Sequence, residues 1–129
     1  MNNSTISRIG TIIYALVIGF FGINHFLKGT GMASMVPSFI PGAIVWVYIT
    51  GAGLIAAAIA FLIDRKTKLA GLLLAIFLLI IVFTVHLPAV INAPDESAMR
   101  YPLTNLLKDT GLAGGALMIA GRVHRAIIV

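Results

Sequence analysis

Residues 69–91 read LAGLLLAIFLLIIVFTVHLPAVI, an almost unbroken apolar run with one ionisable residue, His86, near its far end. A bilayer core about 30 Å thick needs about 20 helical residues at a rise of about 1.5 Å each. This run meets that length. A soluble domain of 129 residues has no use for so long a helix that is apolar on every side. The stretch therefore reads as a membrane span, and the rest of the chain repeats the pattern. Mean hydropathy is +1.06 and only 10% of residues are charged, which places the chain among integral membrane proteins.

Apolar segments lie at residues 6–27, 43–63, 69–91 and 103–120. Backbone polar groups find no water in lipid, so each is expected to be a helix. The resulting expectation is an all-α fold, one domain over residues 1–129, built as an integral membrane four-helix transmembrane bundle. The opening MNNSTISRIG carries one positive charge before an apolar run, as a signal peptide does. That run exceeds a usual signal core and lacks a small-x-small site, so it is expected to stay as a helix. Residues 28–42 and 92–102, rich in Gly and Pro or in Pro and acidic residues, are read as loops, and residues 64–68 as a short charged turn.

Absence of cysteine removes disulfides, thiolate metal sites and iron–sulfur clusters. The net charge of +5 sits beside apolar segments, where anionic headgroups account for it, so nucleic acid is not an expected partner. Counting Lys and Arg gives orientation. Arg8, Arg65, Lys66, Lys68, Arg122 and Arg125 fall at one end of the spans, against Lys28 and Arg100 at the other. The excess puts both termini in the cytoplasm of a plasma or inner membrane. Trp46, Tyr48 and Tyr101 then fall near the outer interface, and the two longer loops face outward.

Small residues at Gly19 and Gly22, at Gly51, Gly53, Ala56 and Ala60, and at Gly111 and Gly115 are spaced for close helix contact. His86 shares a helical stripe with Gly71, Ala75, Leu79 and Val82, while His25 shares one with Tyr14, Ile18, Phe21 and Gly22. Both histidines are expected to face inward. The fourth segment enters with Asn105, Lys108 and Asp109 on one side. His25, His86, Asn105, Lys108 and Asp109 are thus expected at one depth near the outer surface, with Asn24 and Asn92 at the edge. Ionisable groups in a span are costly and face an interior or a wet cavity. This set is the candidate ligand-binding site; its alternative is a mutually satisfied cluster that only fixes helix packing. His124, in the basic tail, is expected in solvent.

A pair of histidines on facing helices also admits axial haem ligation. The positions near the helix ends and the lack of any haem signature speak against it, so neither a metal nor a cofactor is identifiable. The loop GTGMASMVPSFIPG (residues 29–42) is apolar for an outer connection. It is expected either to cover the mouth of the bundle as a lid or to lie along lipid.

The stretches GINHF (22–26), MVPSFIPG (35–42), VYITG (47–51) and NLLKD (105–109), in this order, resemble the DoxX family of small four-helix membrane proteins. That resemblance implies an accessory membrane subunit linked to thiosulfate:quinone oxidoreduction, with His25, Asn105 and Lys108 as motif positions. Members often carry a Glu after the VY-x-x-G stretch, where this chain has Leu54. The functional expectation is an outward-facing polar pocket for a small lipophilic molecule such as a quinone. Expected partners are membrane lipid, a redox subunit and a second copy of the chain. Catalysis by the isolated chain is not expected, and the alternatives are a structural subunit or, in an oligomer, a transporter of a small solute.

Overall fold

The computed structural model describes residues 2–128, with side chains as far as Arg122. The side chains of His124 and Arg125 lie outside the described residues. Asn3–Leu27 forms α1, Gly29–Ala33 the short α2, Ala43–Ile63 α3 and Thr67–Ile81 α4. The last continues through a π-helical turn, Val82–His86, into α5, Leu87–Ile91. Glu96–Ile128 forms α6. Every regular element among the described residues is helical.

Three rods, Asn3–Leu27, Ala43–Ile63 and Thr67–Ile91, are long and apolar enough to cross a membrane. The fourth segment differs from its expected limits of 103–120. It starts at Glu96 and runs for 33 residues with Pro102 inside it. Asp95 begins it early, because its side-chain Oδ1 accepts from the Ala98 N–H at 2.8 Å, the usual N-cap arrangement. Pro102 then falls close to the start, where its missing N–H costs a single bond, to the Ala98 carbonyl. Glu96, Arg100, Lys108, Asp109 and Arg122 make α6 amphipathic, so its composition does not mark it as a span.

The rods form two antiparallel hairpins, each closely packed. In the first, α1 meets α3 through glycines. A Cβ at Gly22 would stand 2.9 Å from the Gly51 carbonyl oxygen, and one at Gly51 would stand 2.9 Å from that of Gly22. In the second, a Cβ at Gly71 of α4 would stand 2.7 Å from the Ala116 carbonyl oxygen of α6. Apolar side chains gain little from leaving lipid for protein, so backbones brought close enough for dispersion contact supply the cohesion. The spacing-based expectation is right for Gly19, Gly22 and Gly51 but not for every small residue. Nothing lies within 4 Å of a Cβ at Gly53 or Gly111: α3 turns Leu54, Ala57, Ala58 and Phe61 inward instead, and on α6 it is Gly115 that meets a neighbour, the Tyr14 ring.

Between the hairpins the gap is wider and larger groups fill it. Ile18, Phe61, Leu74 and Leu78 form the shared core, and the Tyr14 hydroxyl donates to the Leu112 carbonyl. At the end carrying the N-terminus, Arg8 donates to the Phe61 and Leu62 carbonyls at 2.7 and 2.5 Å, satisfying groups that the end of α3 would leave orphaned. Arg122 of α6 reaches α1, donating to Ser7 O, Ser7 Oγ and Thr11 Oγ1 at 3.0, 2.9 and 2.5 Å. The hairpins join through Asp64 and Lys66, both left-handed at φ 56° and 54°. Asp tolerates that conformation better than most residues.

Gly22→Leu is expected to lower stability by about 1–3 kcal/mol through overpacking, whereas Gly111→Ala is expected to leave it unchanged or raised. Thermal melts of the two purified variants in one detergent check the contrast.

Candidate functional site

At the end opposite Arg8 and Arg122, the wide gap opens into a cavity of about 490 Å³. Its position follows from the packing: glycines close the bundle within each hairpin, but nothing small draws the two hairpins together here. All five expected site residues, His25, His86, Asn105, Lys108 and Asp109, line it. Their geometry divides them.

His86, Asp109 and Lys108 touch directly. His86 Nε2 lies 2.7 Å from Asp109 Oδ2, and Lys108 Nζ lies 3.3 Å from Asp109 Oδ1. His86 and Asp109 are 7% and 6% exposed, so their contact is shielded from competing water. A carboxylate can only accept, so the hydrogen of the imidazole sits on Nε2. Nδ1, itself buried, is left without a partner among the described residues. In the neutral ring that nitrogen is an acceptor. Lys108 reaches across to α1 and places Nζ 4.4 Å from the centre of the Phe21 ring, a favourable arrangement of cation and aromatic face.

His25 and Asn105 line the cavity without joining this triad. His25 Nδ1 lies 2.6 Å from the Phe21 carbonyl, one turn back on its own helix. The carbonyl accepts, so Nδ1 donates and the neutral ring presents Nε2 as an acceptor.

The π turn that ends in His86 is a feature the apolar reading of residues 69–91 misses. The Leu87 N–H bonds the Val82 carbonyl, five residues back, and Pro88 follows at once. Proline has no N–H for the Thr84 carbonyl and its ring would crowd that oxygen, which a widened turn relieves. Pro88 was the available signal. Despite the register change, His86 stays on the inward face with Gly71, Ala75 and Val82.

The apolar loop supplies part of the cavity. Met32, Met35, Val36 and Ile40 line it, and α2 shapes the first turn of what was expected to be irregular chain. Trp46 Nε1 donates to the Pro41 carbonyl at 3.0 Å, pinning the returning strand of the loop to α3.

A family model described as a domain of unknown function, DUF8561, matches residues 14–108. The chain belongs to the DUF8561 family. No curated protein and no solved structure matches it. The DoxX assignment is therefore wrong. The DUF8561 match spans GINHF, MVPSFIPG and VYITG and reaches into NLLKD. Such short stretches arise wherever a glycine contact, a proline turn and a polar helix entry are needed in apolar helices. With that resemblance goes the implied link to thiosulfate:quinone oxidoreduction. In this DUF8561 member, Leu54, where a Glu was expected for DoxX, is simply a core residue, 5% exposed.

Asp109→Ala is expected to cost about 1.5–3 kcal/mol, the worth of buried hydrogen bonds to a charged group. Asp109→Asn, which keeps an acceptor for His86, is expected to cost less. Chemical or thermal unfolding of the three proteins in the same detergent tests the order.

Proposed function

We propose that this protein is a multi-pass membrane protein that binds the polar head of a small lipophilic molecule in the cavity beside His86. The observation that carries the reading is the buried Nδ1 of His86, unpartnered among the described residues, in a residue that lines a largely apolar cavity of about 490 Å³. Ligand sites combine apolar walls with a few convergent polar groups in this way. Asp109 fixes the tautomer and orientation of His86. Lys108 balances the charge of Asp109, so the cluster favours a neutral head. His86 Nδ1 and His25 Nε2 both accept, which suits a head bearing hydroxyl groups. Among quinone-type molecules the reduced, dihydroxy form fits these acceptors better than the dicarbonyl form.

In the same reading α6 is the fourth span. From Tyr101 to Arg122 it rises by about 30 Å at about 1.5 Å per residue, and its two intervening ionisable residues are paired inside. The outward face is apolar there, with Leu107, Leu117 and Met118 exposed by 62, 46 and 76%. The excess of Lys and Arg at the opposite end puts the cavity mouth on the outer side.

A second reading rests on the direct contacts of Asp109 with His86 and Lys108: the cluster fixes helix packing and binds nothing. Titration of the purified protein with methylhydroquinone under anaerobic conditions decides between them. Saturable binding, weakened about tenfold or more by His86→Ala as expected for a lost hydrogen bond in a dry site, supports the pocket. No saturable binding, or equal binding by His86→Ala, leaves the packing role.

A further inference from the structure

α3 and α4 are joined by a tight turn, yet they diverge from each other and leave a second cavity of about 510 Å³ between them. Residues without bulk leave this space: Gly53, Ala56 and Ala57 on α3 face Ala70 on α4. Its rim is lipid-like, since Ile49, Leu73, Ile76 and Ile80 are each about half exposed. This cleft and the polar cavity share Thr50, Leu54, Phe77 and Ile80 as wall residues, so the two spaces adjoin along one surface. The nearby hydroxyls already donate: Thr50 Oγ1, on the common wall, to Trp46 O at 2.8 Å, and Thr84 Oγ1, in the polar cavity, to Ile80 O at 2.7 Å. The wall residues common to the two spaces are therefore apolar or have their hydroxyl hydrogen already bonded.

We propose that the α3–α4 cleft holds the single long apolar tail of the same molecule whose hydroxyl-bearing head sits at His86, and that this molecule enters sideways from the bilayer. The proposal rests on the pocket reading above and names its ligand class: a neutral, single-tailed amphiphile. From Ile80 to Lys66 the cleft follows α4 for about 21 Å at about 1.5 Å per residue, which matches an extended palmitoyl-length chain. Lys66 lines its far end, where the charged turn between the hairpins stops an apolar tail. A volume of about 510 Å³ suits a single chain of that length. What distinguishes this cleft from an ordinary lipid-facing groove is its neighbour: the cavity with which it shares wall residues is lined by His86, whose Nδ1 is without a partner among the described residues.

Gly53→Leu tests the tail site directly. A Cβ at Gly53 meets nothing within 4 Å, so the substitution fills the cleft without pressing on a neighbour; Ala56→Leu serves if that variant fails to fold. Binding of methylhydroquinone and hexadecylhydroquinone is measured anaerobically in phosphatidylcholine nanodiscs, where non-specific partition is common to all variants. Expected is about tenfold or greater loss of hexadecylhydroquinone affinity in Gly53→Leu, in keeping with the buried methylenes displaced. Methylhydroquinone affinity is expected to be unchanged there, and His86→Ala is expected to weaken both ligands. Equal hexadecylhydroquinone binding by wild type and Gly53→Leu, with His86-dependent methylhydroquinone binding intact, overturns the tail site and leaves the head pocket standing. Methylhydroquinone binding that is absent or indifferent to His86→Ala overturns the pocket reading itself. A wild-type dimer that Gly53→Leu dissolves assigns the cleft to a second copy and likewise overturns the proposal.

Discussion

A buried carboxylate in an apolar molecule must be satisfied by the protein, and Asp109 is that carboxylate. Its two oxygens draw His86 from the rod that continues α4 and Lys108 from its own helix. Lys108 in turn lies over Phe21 of α1. One charge thus connects three helices at the end of the bundle where the cavity lies. Uncompensated, it would cost several kcal/mol. Compensated, it holds an imidazole in one tautomer beside a cavity and leaves that ring's other nitrogen without a partner among the described residues.

The cavity itself is a product of how the helices cohere. Close backbone contact at Gly22 and Gly51 and at Gly71 and Ala116 makes each hairpin tight. The interface between hairpins relies on Tyr14, Ile18, Phe61 and Leu78, whose bulk keeps the helices further apart. Backbone contact within the hairpins and bulky side chains between them, Tyr14 over Gly115 included, yield a molecule with seams. The polar cavity and the α3–α4 cleft both lie along those seams.

Much of this was legible in the chain. The apolar runs located, to within a few residues, the three helices that are long and apolar enough to cross a membrane, because lipid imposes one length and one composition on a crossing helix. The inward positions of His25 and His86 followed from helical spacing, and so did the placement of Asn105, Lys108 and Asp109 beside them. The start of α6 was not legible, since Pro102 is a breaker in general but is tolerated near a helix start that Asp95 caps. Nor were the faces of α3: Gly53 and Ala56 have the spacing of a contact stripe, yet only the three-dimensional packing shows them beside a void. The π turn depends on a bond five residues back, which no apolar periodicity encodes. Family membership failed for a related reason. Short glycine, proline and asparagine patterns report the demands of apolar helices more than they report descent.

The links between the two hairpins are unevenly distributed along the molecule. At one end they are covalent, through the turn at Asp64 and Lys66, and are reinforced by the three bonds of Arg122 to α1. At the other end one ammonium over an aromatic ring and the apolar side chains of a loop close the gap. The two hairpins are thus held by more polar and covalent links at the turn than at the cavity.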